Sequence, residues 1–175
     1  MSCTVHQLLR DSKAVEVSVN GVVIPRDVIA REVQCHPASK PVEAWLSAAQ
    51  ALVIRELLLQ QARRTGIVAN PLSDEHGRRE TEEDALIRAL IELEVTTPEP
   101  DEESCRRYYE QNRHRFGASK ADGASLPFDQ VSGRIADYLR ESVRRRAVAQ
   151  YIARLVSNAD ITGVAIAGAD THRVH

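Results

Sequence analysis

The stretch WLSAAQALVIRELLLQQARRTG, residues 45–66, decides the fold of this 175-residue chain. Its apolar residues recur at intervals of three and four, the spacing of one helix face, and further leucine and isoleucine residues widen that face. Pro41 suits the first turn of a helix, where the missing N–H costs nothing. Gly66, just after Arg63 and Arg64, predicts a left-handed C-cap. We therefore predict a central helix, apolar on most sides, that belongs in a core.

The composition fits one compact unit that is mostly helical. Hydrophobic residues make up 43% of the chain and charged residues 27%, which excludes wholesale disorder. Aromatic residues reach only 4%, which argues against a β-sandwich. The three cysteines have no CxxC spacing, so we expect reduced thiols rather than a disulfide framework or a zinc site.

The charges are unevenly distributed along the chain. Residues 72–104 carry twelve acidic residues against three arginines, whereas residues 128–158 carry six arginines against three acidic residues. We expect these segments to lie near each other or to present opposite faces to a partner. A nucleic-acid binder is more often basic throughout, so nucleic acid is not expected as a partner.

The start of the chain, MSCTVHQLLRDSK, lacks the apolar run of a signal peptide. No stretch reaches the roughly 18 uninterrupted apolar residues that a membrane span needs. We therefore expect a cytoplasmic protein without a membrane partner.

Shorter elements surround the central helix. Residues 15–24, VEVSVNGVVI, predict two short strands joined by a tight turn at Asn20-Gly21. A helix from Arg26 to about Cys35 follows. After the central helix, Thr81 can cap a third helix that ends near Val95. The apolar spacing puts four residues on its buried side: Ala85, Leu86, Leu90 and Leu93.

Two more helices complete the predicted fold. One starts at Asp101, Glu102 and Glu103 and continues to Phe116. The other begins after Pro127 and would span roughly 45 Å at about 1.5 Å per residue. It is longer than a small domain is wide, so part of it must leave the core or pack on another chain. A short β-branched segment, residues 160–164, can pair with the early strand.

The sequence thus predicts a mainly α fold of about five helices, including a long C-terminal helix, with a minor β pairing of N- and C-terminal strands. Residues 1–116 form the N-terminal helical part of the domain. Residues 117–126, which include GASKADGAS, form a flexible linker. Residues 127–164 complete the same domain, and residues 165–175 are a mobile tail.

The order of these elements resembles a known family. The segments that carry the resemblance are VNGVVIPRDVIAREV, LLLQQARRTGI, EEDALIRALIELEV, PDEESCRRYYEQNRHRF and LPFDQVSGRIADYLRESVRRRAVAQYIARLVSNADITGV. Together they resemble the two flanks of SurA-type chaperones and parvulin-type peptidyl-prolyl isomerases, especially NifM-like proteins of nitrogenase maturation. The similarity covers nearly all of residues 15–164, and it implies a SurA-like N-terminal helical chaperone domain.

The chain departs from this family at one place. In the family a parvulin domain usually separates the segment that corresponds to NRHRF from the one that corresponds to LPFDQV, and here nine small or polar residues, 117–125, stand between them. The resemblance implies paired histidines, a Cys or Asp and an apolar proline pocket for parvulin catalysis. Residues 117–125 cannot supply them. An engineered excision and a natural variant without the isomerase both fit.

The resemblance favours an ATP-independent, chaperone-like core that binds unfolded, nascent or assembling polypeptides and has no catalytic residues, cofactor or metal. Apolar and aromatic side chains that could line a groove for such clients are Trp45, Leu52, Tyr108, Tyr109 and Phe116. Two alternatives stay open. The chain is a peptidyl-prolyl isomerase by family assignment, or it is a helical dimerisation module. In the second case the long helix packs on a second copy, with or without domain swapping.

Other chemical patterns are weaker. Metal-ligand residue types occur in Cys35-His36, Cys105 and His114, but no local pair among them has zinc spacing. His172 and His175 in the tail could share one side of a turn and bind a transition metal weakly, although their position favours a solvated tail. Asp74-Glu75-His76 puts a carboxylate beside an imidazole in a polar loop, which favours a solvated charge cluster over acid–base chemistry. Arg144, Arg145 and Arg146 point in different directions on a helix, which favours a solvated face over a phosphate site.

Overall fold

The structure, a computed structural model, describes residues 16–116 and 126–166. It is mainly helical and contains a small antiparallel sheet that includes the N- and C-terminal strands, which confirms the predicted fold class. The nine residues of the predicted linker from 117 to 125, and the tail from residue 167, lie outside the described residues.

The elements of the described residues follow in chain order. The strands are β1 (Ser18–Val19), β2 (Val22–Val23) and β3 (Ile161–Thr162). The helices are α1 (Arg26–Glu32), α2 (Pro41–Arg64), α3 (Glu82–Glu94), α4 (Glu102–Gln111) and α5 (Phe128–Ser157), and short 3-10 helices cover Val33–Cys35 and Arg113–Phe116.

The chain divides into two compact units. Among the described residues, the first contains 16–91 and 152–166, and the second contains 92–116 and 126–151. Helix α5 contributes its first 24 residues to the second unit and its last turns to the first. The domain bounds near residues 116 and 127 that the sequence suggested stay predictions.

The sheet of the first unit confirms both predicted pairings. Asn20 and Gly21 have φ angles of 50° and 83°, as a two-residue hairpin turn requires at both central positions. The turn sets β1 and β2 in antiparallel register, with Val19 opposite Val22. On its other side β1 pairs with β3, where Ser18 lies opposite Thr162 and their hydroxyl oxygens are 2.9 Å apart.

Helix α2 supplies the largest share of the first unit's core. The core residues, all less than one-tenth exposed, are Val17, Val19, Ile24, Ile29, Ala48, Ala49, Val53, Leu57, Val156 and Ile166. The helix ends as predicted in a left-handed cap at Gly66, whose φ is 70°. The N–H groups of Gly66 and Ile67 donate to the carbonyls of Arg63 and Ala62, both at 3.2 Å, which satisfies two of the last carbonyl groups of the helix.

Helix α3 is capped as predicted, because the Asp84 N–H donates to Thr81 Oγ1 at 3.1 Å. Its first turn also pairs with α2, since Arg55 donates to Asp84 at 2.8 Å and to Glu83 at 3.0 Å. Hydrogen bonds from Thr81 and Arg55 lower the pKa of the Asp84 carboxyl. Leu93, predicted on the buried side, is 63% exposed, so that prediction was wrong. Apolar spacing identifies a helix face but does not say how far along the helix the core extends.

Helix α4 starts as predicted and ends earlier. Asp101 accepts the N–H of Ser104 at 2.8 Å, which is an N-terminal cap. The helix was predicted to reach Phe116, but it stops at Gln111. At Asn112 the backbone leaves the helical conformation, with φ −124° and ψ 23°, and both its N–H and its side chain donate to the carbonyl of Tyr108, at 3.1 and 2.8 Å.

The pairing of β3 with β1 depends on Gly163, and this gives a test. A Cβ at Gly163 would lie 2.5 Å from the carbonyl oxygen of Glu16, and its φ is 82°. Gly21 has nearly the same φ with no atom within 4 Å, so it is a matched control for the backbone strain alone. We expect Gly163→Ala to lower the free energy of unfolding by about 1 to 3 kcal/mol more than Gly21→Ala does.

The measurement is urea unfolding of both variants and the unchanged chain, followed by circular dichroism. Equal losses in the two variants would contradict the close approach of Gly163 to the backbone of Glu16.

Candidate functional site

The second unit is built on the contact between α4 and the first half of α5. Its buried residues are Cys105 and Tyr109 of α4 and Val131 and Ile135 of α5. The Tyr109 hydroxyl donates to the carbonyl of Leu126 at 2.7 Å, so the one polar atom of this ring is satisfied where the chain enters α5.

Five of the chain's seven aromatic residues lie together in this unit. They are Tyr108, Tyr109, Phe116, Phe128 and Tyr138. The rings of Tyr108 and Tyr138 have centroids 5.3 Å apart, and those of Tyr109 and Phe116 are 5.4 Å apart. These separations lie within the range at which aromatic pairs attract each other beyond the effect of burial alone. We call these five residues the aromatic cluster.

The aromatic cluster borders a depression of about 320 Å³ on the surface of the second unit. Its lining residues are Tyr108, Arg115, Phe116, Leu126, Arg134, Ile135 and Tyr138. Tyr138 is 48% exposed although it contacts the ring of Tyr108. The depression therefore presents aromatic and aliphatic surface to solvent, together with two guanidinium groups. We call it the aromatic depression.

Arginine side chains surround the aromatic cluster. Arg106 lies over the ring of Phe128, 4.7 Å from its centroid, and Arg113 lies 5.6 Å from the centroid of Tyr109. Such contacts are favourable because the cation faces the negative side of the ring. Arg115 Nη1 also donates to the Tyr108 hydroxyl at 3.0 Å, which holds one of the lining rings in place.

The five residues predicted to bind clients fall into two groups. Tyr108, Tyr109 and Phe116 lie together in the aromatic cluster of the second unit, but Tyr109 is only 8% exposed and supports the depression from within the core. Trp45 and Leu52 lie on α2 in the first unit, where both are partly buried against the core.

Leu52 also borders a smaller depression of about 170 Å³ in the first unit. Val22 and Val23 of β2 line the same depression and are 47% and 45% exposed. The first unit therefore has a smaller apolar surface of its own, next to an edge strand.

Sequence reasoning did not assign five of the lining residues of the aromatic depression to the site: Arg115, Leu126, Arg134, Ile135 and Tyr138. Tyr138 could have been found, because it follows Ile135 by three residues and so shares its side of the helix. Leu139, four residues after Ile135, has the same helical spacing and is the more apolar choice for that face. Leu139 is partly buried against the core, whereas its neighbour Tyr138 is half exposed at the surface.

The weaker chemical patterns have structural explanations. Among residues 16–116 and 126–166 no three His, Cys, Asp or Glu side chains converge as a metal site would require. Asp74 does not act on the His76 ring. Its carboxylate accepts the N–H groups of His76 and Arg78, both at 2.9 Å, and the Arg78 side chain at 2.7 Å. These hydrogen bonds, chiefly those from Arg78, lower the pKa of Asp74 and stabilise a turn.

Comparisons with protein-family models, with curated proteins and with solved structures gave no match for this chain. Within the described ranges, none of the helices combines the length and the apolar character that crossing a membrane requires.

The position of Cys105 gives a test of the second unit. Burial and the nearby Asp101 carboxylate raise the pKa of its thiol, and only the thiolate reacts with disulfide reagents. We expect a chain that keeps Cys105 alone, with Cys3→Ser and Cys35→Ser, to react at least roughly tenfold more slowly than an unfolded thiol. The measurement is the rate of reaction with an aromatic disulfide, with and without urea.

A chain that keeps only Cys35 is the control, because Cys35 is exposed. It should react quickly with or without urea. Equally fast reaction of Cys105 in the folded chain would contradict the packing of α4 against α5.

Proposed function

We propose that this chain binds apolar segments of unfolded or assembling polypeptides without ATP, as the core of a SurA/NifM-type chaperone that lacks the isomerase module. The observation that carries the proposal is the aromatic depression, in which Tyr108, Phe116 and the half-exposed Tyr138 face solvent. Depressions that bind apolar groups combine hydrophobic and aromatic walls with a few polar groups, and this one has that composition. Exposed apolar surface is also what a protein that holds unfolded chains needs.

The edge of the sheet in the first unit supports the same proposal. Opposite residues of an antiparallel pair of strands alternate between hydrogen-bonded and non-hydrogen-bonded pairs. The N–H of Ile24 donates to the carbonyl of Val17 at 2.8 Å, so the neighbouring pair of Ser18 and Val23 is a non-hydrogen-bonded one. The N–H and C=O of Val23 therefore point away from β1. An extended client segment can hydrogen-bond there and place a side chain against Leu52, which is the strand-addition mode of peptide binding.

The relation to the parvulin family is part of the proposal, and the geometry around residues 117–125 supports it. The N–H of Leu126 donates to the carbonyl of Phe116 at 2.8 Å. The chain therefore leaves and re-enters the described part of the unit at neighbouring points. Such sites accept or lose a whole domain with little change to the rest of the fold.

Tyr138 provides the direct test of client binding. We expect the chain to suppress the aggregation of denatured, reduced lysozyme on dilution, without ATP. Tyr138→Ala should raise the concentration needed for half-suppression by about tenfold, because aromatic anchors contribute most to such contacts. Val143→Ala is the control, since Val143 is an exposed apolar residue of the same helix that does not line the depression.

The measurement is light scattering against chain concentration. Absence of suppression by the unchanged chain would contradict the proposed function. Equal effects of the two substitutions would remove the aromatic depression from it.

The isomerase alternative has its own test. We expect the chain not to accelerate cis–trans isomerisation of a proline-containing tetrapeptide, whose uncatalysed relaxation takes roughly tens to hundreds of seconds. The reason is that residues 117–125 contain no histidine, whereas the family resemblance associates catalysis with a pair of histidines. A parvulin added to the same assay is the positive control, and clear acceleration by this chain alone would establish the alternative.

A further inference from the structure

The two arginines that line the aromatic depression have no carboxylate partner within the ranges that the structure describes. Arg115 uses one N–H group on the Tyr108 hydroxyl, and Arg134 forms no ion pair there. Arg140, also in the second unit, differs sharply, because it donates to Glu99 at 2.7 Å and to a second carboxylate on its own helix. The depression is thus a place where positive charge is left uncompensated.

The described residues that line the depression include no acidic side chain. Among them the only charged ones are Arg115 and Arg134, and the rest are aromatic or aliphatic. A ligand that fits this surface has an apolar body and at least one anionic group beside it. Guanidinium groups suit carboxylates in particular, because their planar donors match the two carboxylate oxygens.

We propose that the aromatic depression selects polypeptide segments in which an acidic residue flanks an apolar stretch, with Arg134 and Arg115 pairing with the carboxylate. This inference rests on the proposed function and adds a charge preference to it. The small number of cations favours a polypeptide over a nucleic acid, since two arginines in the described lining can make fewer phosphate contacts than nucleic-acid binding normally uses. A net charge of −2 for the whole chain points the same way.

The test uses three fluorescently labelled peptides with the same centre of alternating leucine and serine, bounded on both sides by aspartate, by serine or by lysine. Dissociation constants are measured on the full chain by fluorescence anisotropy. We expect the aspartate peptide to bind about threefold more tightly than the serine peptide at low salt, which is the size of an exposed ion-pair effect. The lysine peptide should bind most weakly. The differences in dissociation constant should largely vanish near 0.5 M salt, because the Debye length then falls to roughly 4 Å and the exposed charges are screened from each other.

Arg134→Gln tests whether the preference for the aspartate peptide arises at this depression, because the substitution keeps most of the side chain and removes its charge. We expect it to weaken aspartate-peptide binding by about threefold and to leave serine-peptide binding unchanged. Arg146→Gln is the matched control. Arg146 is also exposed and without an ion pair in the described residues, and it lies roughly 18 Å further along α5 at about 1.5 Å per residue.

The outcomes separate the two proposals. If no peptide binds, the proposed function itself fails. If all three bind equally, the charge preference fails while the proposed function stands. A loss of preference with Arg146→Gln, or none with Arg134→Gln, would overturn the assignment to this depression.

Two other occupants are tested in the same series. Displacement of the aspartate peptide by a single-stranded oligothymidylate would overturn the inference in favour of nucleic acid. A dimer in light scattering that dissociates on Arg134→Gln would overturn it in favour of a second copy of this chain.

Discussion

The first unit depends on one long-range pairing, in which the central strand β1 joins β3 from the far end of the chain. Ser18 and Thr162 lie opposite each other across 144 positions of sequence, and Val156 and Ile166 then pack with Val17 in the same core. The core of this unit is built from two stretches that are far apart in the sequence. Without the pairing, the apolar residues of α2 would lose their contact with Val156 and Ile166. The entropy of closing a loop rises only slowly with its length, so the number of residues between the two stretches can vary. The second unit occupies that interval in the chain.

Asn20 concentrates several of the contacts that maintain this pairing. It adopts the positive φ that the hairpin turn needs, and its backbone N–H donates to the carbonyl of Asp160 at 2.7 Å. Its side chain accepts the N–H of Asp160 at 2.9 Å and donates to Gln60 of α2 at 2.8 Å. One residue thus connects the turn, the approach to β3 and the central helix. A glycine would provide the turn but neither side-chain hydrogen bond.

Local chemistry made much of this fold predictable. The Asn20-Gly21 turn, the Gly66 cap and the Thr81 cap each depend on one or two residues with a strong backbone preference, and all three predictions were confirmed. The errors concern how far a pattern extends. Leu93 has the spacing of a core residue and is exposed, and α4 stops at Gln111, after which Asn112 leaves the helical conformation. Such outcomes depend on what packs nearby, and periodicity contains no information about it.

The candidate site was predictable only in part, for a related reason. Aromatic side chains are rare in this chain, so Tyr108, Tyr109 and Phe116 stood out before any geometry was known. Arg134 did not, because an arginine on an amphipathic helix looks the same whether or not a carboxylate faces it. Its significance comes from the fact that the described lining of the aromatic depression includes no acidic residue. That property belongs to the assembled surface of α4 and α5 and not to any segment of the sequence.

Two residues that line the aromatic depression also flank the position at which the family resemblance places an isomerase domain. Phe116 and Leu126 both line the depression, and they also flank residues 117–125 and are joined by a backbone hydrogen bond. The Tyr109 hydroxyl bonds to Leu126 as well, so the core of the second unit fixes the position of this join. A domain inserted there would be attached at the edge of the depression. Under the proposed function, a client held by the aromatic residues would lie within reach of such a domain. The described lining residues all lie outside residues 117–125, so the proposed binding surface does not require that domain to be present.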